Sequence, residues 1–267
     1  MRKRPDIPLL SDWLNQSFSA DDSTRIGVAF GHVARYFTFL HYIFEEYEQA
    51  SSDYLENTKA ITAIFQNGLG GNSFTEKQSA IFDEAPVLHD LLHLRIETFY
   101  LFAKIFLDKI AHFFEFYFGQ ARGLSLDSHD QLVKNFQGFC ESKELVLSPD
   151  FLSVANDLKT RISDHRDYQI QHEKSPRTLY ATSFDRDGKT TIKQVRLNPT
   201  DKDREIESAP VGDLLAAAEQ YLKLAIEMIR SNVDKSVVKR HTAVSSPRQG
   251  DDGEVLQQHA GDHAEMF

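Results

Sequence analysis

Arg166 and His172, with Asp167 beside the arginine, are the residues whose types and spacing could do chemistry on a phosphodiester. Cleaving RNA without a metal needs a base to take the 2′-OH proton, an acid to protonate the leaving oxygen, and a cation for the charge building on phosphorus. A histidine with its ordinary pKa near 6.5 serves either proton role at neutral pH. An arginine stays charged and clamps two phosphate oxygens. On a regular helix, side chains six positions apart diverge by roughly 120°. One helix therefore need not hold a complete site, and a symmetric homodimer doubles the pair and supplies both proton roles. Asp167 can orient Arg166, or stand as a solvated acid near a helix end.

The helix expected to carry them opens at Ser148-Pro149-Asp150 and runs to about His172 or Glu173, before Pro176. Its apolar face is Phe151, Val154, Ala155, Leu158 and Ile162. Projected onward at 100° per residue, that face next presents His165, Arg166, Gln169 and His172. A core stripe that turns polar either leaves the core or lines a cavity. His165 and Gln169 are thus supporting candidates beside Arg166, Asp167 and His172.

Arginine followed by histidine at this spacing is not selective, since Arg25–His32, Arg35–His41 and Arg122–His129 match as well. Only Arg166 is followed by a polar residue, and only this pair lies where a core face turns polar on the helix before the last. Here the chain resembles the HEPN superfamily of all-helical proteins, whose signature is Arg, four to six residues, then His. The resemblance implies a helical bundle with an inserted hairpin. It also implies either a metal-independent ribonuclease acting as a homodimer with two motifs facing one cleft, or a non-catalytic relative that binds a nucleotide, RNA or a partner protein.

Other chemistries have less to offer. His89, His93 and Glu97 recur at four-residue steps, so one side of a helix could present them to a transition metal, or simply to water. Cys140 is the single cysteine, which excludes an intramolecular disulfide and cysteine-pair zinc sites. Gly68-Leu69-Gly70-Gly71 lacks the Lys-Ser or Lys-Thr of a phosphate loop. No cofactor is expected.

The positioning elements read as all-α: an up-and-down bundle of five to six helices with one small inserted β-hairpin. Residues 1–22 read as a polar leader with an apolar patch at Leu9, Leu10, Trp13 and Leu14; 23–237 as the bundle; 238–267 as a disordered tail. Ile26, Phe30, Val33, Phe37, Leu40 and Phe44 start a helix that ends at Asn67-Gly68. Ser73 with Glu76 reads as a capping box, and Pro86 as the first residue of a further helix reaching Gly119. Helices follow over about 129–143 and 211–232. The hairpin falls at about 178–197, turning at Asp187-Gly188.

Thirty basic against forty acidic residues give a net charge of −10, which argues against a protein that coats long nucleic acid non-specifically. Phe99 to Phe118 has the length of a membrane span, but Lys104, Asp108, Lys109, His112 and Glu115 interrupt it. Phe99, Phe102, Phe106, Ile110, Phe113 and Tyr117 form its other side, the core face of an amphipathic helix. The expectation is a cytoplasmic protein with no membrane partner.

Overall fold

Two long helices carry the fold: α1, Ala20–Gln66, and α2, Glu76–Phe118. The computed structural model describes residues 20–66, 74–167, 178–184, 190–197, 205–207 and 209–238. α1 and α2 pack antiparallel along most of their length, through Phe30 on Phe113, Phe37 on Phe106 and, near the far end, Phe65 on Phe82. Three shorter helices complete the helical part: α3, His129–Lys143; α4, Pro149–Leu158; and α5, Val211–Ser231. The chain is predominantly helical, and among the described residues no helix is long and apolar enough to cross a membrane.

Three short strands lie between α4 and α5. β1, Thr178–Phe184, pairs antiparallel with β2, Thr190–Leu197, in a register that sets Ala181 opposite Lys193. β3, Glu205–Glu207, adds to β2, with Arg196 opposite Ile206, and has no counterpart in the sequence expectations. Residues 185–189, where the Asp-Gly turn was placed, lie outside the described residues.

The aromatic residues explain why the helices converge. Phe114 of α2 meets Phe136 of α3 and Phe151 of α4 at 4.9 and 5.2 Å between ring centroids. Phe151 in turn stacks on Tyr221 of α5 at 5.0 Å. Edge and offset contacts of this kind add to the large area these rings bury. Asn232, just past α5, clamps the segment before α4: its amide accepts from the Val146 N–H and donates to the Val146 and Met228 carbonyls.

Three expectations need correction. The helix expected to start at Pro86 starts instead at Glu76 and runs through the proline. Proline removes one helical hydrogen bond and crowds the preceding turn, at a cost of roughly 3 kcal/mol. Packing of both halves against α1 outweighs that cost, and Asn57 donates a hydrogen bond to the Ile81 carbonyl at 2.9 Å, ahead of the proline. The capping box that opens the helix is Thr75 with Gln78, not Ser73 with Glu76. α1 also begins at Ala20, inside the stretch assigned to the leader.

A candidate functional site at the end of a π-helical segment

α4 begins as expected, with Ser148 accepting from the Phe151 N–H and Pro149 in the first turn. It buries Phe151, Ala155 and Leu158. The chain then widens into a π-helical segment, Lys159–Asp164. Such i→i+5 turns are rare, and they are frequent at functional sites. The widening changes which residues face inward, because a projection at 100° per residue holds only for a regular α-helix. Ile162, Ser163 and His165 are all buried here, and Arg166 emerges at the edge.

His165, a supporting candidate on the stripe that the projection continued from Ile162, stays in the core. It is 8 % exposed and stacks on Tyr100 of α2, with ring centroids 4.4 Å apart. Arg166 keeps its side chain 23 % exposed, and its Nε lies 3.4 Å from the Asp167 carboxylate. Gln169 and His172 lie outside the described residues, so the structure brings together only the first half of the expected site: His165, Arg166 and Asp167.

Beside this segment is a buried ionic cluster that the sequence reading missed. Lys104, assigned to a solvated side of α2, is 5 % exposed. Its ammonium donates to Asp108 at 3.1 Å and to Asp130 at 2.8 Å. Asp108 also accepts the backbone N–H of His129, the first residue of α3. A carboxylate at a helix N-terminus satisfies an otherwise orphaned donor and opposes the positive end of the helix dipole. Burial would raise the Asp130 pKa, but the hydrogen bond and charge of Lys104 outweigh it and hold it below its ordinary value.

His129 is fully buried against the edge of the Tyr221 ring, and neither of its ring nitrogens has a hydrogen-bond partner among the described residues. Burial lowers its pKa to about 3, helped by the positive charges of Lys104 and Lys159 and opposed by Asp130. It stays neutral at any ordinary pH and has no access to substrate. Burial likewise pushes the Tyr221 phenol well above its usual value. This cluster ties α2, α3 and α5 together. Its sequence signal was faint: an acid–base pair, Lys104 and Asp108, one turn apart on an otherwise aromatic helix.

The remaining candidates separate. His89 faces Asp90 and His93 pairs with Glu97 at 3.1 Å. Among the described residues no three His, Cys, Asp or Glu side chains come together to hold a metal ion. Arg122 is exposed while His129 is buried, so that spacing match forms no pair. Cys140 is buried, and burial pushes its thiol up to about 12. No family model matches the chain, and no curated protein or solved structure is similar to it.

Proposed function

We propose that the chain is a HEPN-like helical module directed to RNA, a metal-independent endoribonuclease that uses Arg166 and His172 in a homodimeric cleft in the cytoplasm. The observation that carries this reading is the way Arg166 is presented. The residue before it is anchored in the core by Tyr100, the residue after it contacts its guanidinium, and the arginine itself reaches the surface at the end of a π-helical turn. A cation held in this way suits the charge that develops on a phosphate. His172 takes the 2′-OH proton in one motif and donates a proton to the leaving 5′-oxygen in the other. The products are a 2′,3′-cyclic phosphate and a 5′-hydroxyl.

The test is an RNA cleavage assay in EDTA between pH 6 and 8. Wild-type protein should cleave RNA and leave DNA, which lacks the 2′-OH, intact. His172→Ala should slow cleavage by ~10²–10⁴-fold, and Arg166→Ala by a comparable factor. Intact RNA with wild-type protein, or His172→Ala cleaving at the wild-type rate, overturns catalysis. One contact favours the second reading, a non-catalytic HEPN-like module that binds a nucleotide, RNA or a partner protein. Asp167 already engages Arg166 at 3.4 Å, which leaves less of the guanidinium for phosphate. RNA binding without cleavage, lost in Arg166→Ala, establishes that reading for RNA.

A further inference from the structure

α2 is apolar on two sides. Its inner face buries Leu92, Ile96, Phe99, Ala103, Phe106 and Ile110 in the bundle. Roughly 180° around the helix, by 100° per residue, runs a second stripe. There Val87, Leu91, Leu94 and Leu101 are 57, 41, 51 and 42 % exposed. Thr98 and Ile105 continue the same line. The steps of four, three, four, three and four are those of a coiled-coil seam, with Val87, Leu94 and Leu101 in one set and Leu91, Thr98 and Ile105 in the other. A stripe of exposed leucines rimmed by charge marks an interaction surface.

We infer that this outer stripe of α2 is a self-association surface, on which the same stripe of a second copy packs in parallel. Under two-fold symmetry one seam serves both sides, so the stripe needs no other partner surface. The charges on its borders favour the parallel arrangement. One border carries Asp83, Asp90 and Glu97 before it reaches the buried Lys104, and the other carries Arg95. In a parallel pair, each residue of the first border faces the residue five positions on in the second copy. Asp90 then meets Arg95 of the second copy, twice. An antiparallel pair would set Asp90 and Glu97 against acids of the same border, which costs rather than gains. Arg95 already holds Glu46 at 3.0 Å within the chain, and its fork has further N–H donors to share. The groove beside the stripe, between α1 and α2, has Glu45, Glu46 and Asp53 in its walls and repels phosphate, so RNA is a poor occupant here.

This surface is separate from Arg166. Tyr100, on which His165 stacks, lies on the opposite side of α2 from the seam. The contact leaves Arg166 uncovered, and the cleft of the RNA-directed reading needs a further contact of its own. The inference does not rest on that reading, because its test reads assembly and not RNA.

Single cysteines test it, since the native Cys140 is buried and its thiol is pushed up to about 12. Leu91→Cys, Leu94→Cys and Leu101→Cys should each give a disulfide-linked dimer under mild oxidation, because parallel seams bring equivalent positions together. Ser153→Cys, exposed on α4, should not. Cross-linking at one of the three alone means an antiparallel pair and overturns the register. Cross-linking at none overturns the surface. Light scattering at tens of micromolar should show Leu94→Glu with half the mass of the wild-type assembly and an unchanged helical circular dichroism spectrum. A wild-type monomer, or an unchanged mass in the variant, overturns the second copy as occupant. Arg166→Ala should leave every one of these readouts as in wild type.

Discussion

His165 lies nearly flat on Tyr100, 4.4 Å between ring centroids and 26° between planes. The contact locks the end of the π-helical segment onto α2 and so sets where Arg166 leaves the core. His165 is thereby a structural support for the arginine beside it.

His165→Ala should lower stability by about 2 kcal/mol or more, since it deletes a buried ring and leaves a cavity. Arg166→Ala, whose head group reaches solvent, should cost less than half of that. Urea unfolding of the two variants checks the difference. Equal losses would make Arg166 a structural group and remove the main support for phosphate binding.

His129 predicts acid lability. Its folded pKa is lowered from 6.5 to about 3, so the unfolded chain binds the proton more tightly between those values. The neutral, buried ring contributes fully above pH 6.5, and that contribution drains away as pH falls toward 3. At 1.36 kcal/mol per unit the loss is on the order of 4 kcal/mol. His129→Phe, which cannot take a proton, should lose markedly less stability than wild type between pH 7 and pH 4. Parallel losses in both proteins would show that His129 is not held neutral.

Lys104→Met keeps the length of the side chain and removes the charge between Asp108 and Asp130. Both carboxylates are partly solvated, which discounts the penalty for a broken buried pair to about 1–2 kcal/mol. Adding Asp130→Asn should recover part of the loss in a double-mutant cycle. A second substitution that merely adds its own full cost would show no coupling across the 2.8 Å contact.

Asn232→Ala strands the Val146 N–H and two carbonyls that the amide now satisfies. A buried group left without its partner costs about 1–3 kcal/mol, and the exposure of Val146 puts the loss here toward the lower end. Thermal unfolding should therefore drop by several degrees, with hydrogen exchange at the Val146 amide accelerating beyond the global rate. If that amide exchanges as slowly as in wild type, the clamp is not what closes this segment.

Much of the helical organisation was legible in the sequence because it rests on local chemistry. Ser148-Pro149 sets the start of α4, since a side-chain oxygen ahead of the first turn satisfies a free amide wherever it occurs. The aromatic positions of α2 from Phe99 to Tyr117 announce a buried face by their spacing alone. Pro86 misled because its local cost, read in isolation, exceeds what a single helix can carry, and only packing against α1 offsets it.

In the candidate site the sequence pattern led as far as Arg166 and Asp167 at the end of a core stripe, and there the tertiary structure took over. A regular helical projection could not foresee the π-helical widening, because extra hydrogen-bond length is stored in backbone geometry and not in residue type. It buries Ser163, which the projection set off the apolar face, and leaves Arg166 at the edge. Lys104 read as a surface residue by type, and it is interior because α3 docks its first turn onto Asp108 beside it. The outer leucine stripe of α2 was invisible for the opposite reason: in sequence it merges with the core pattern, and only the placement of α1 and the other helices decides which apolar side of α2 is covered.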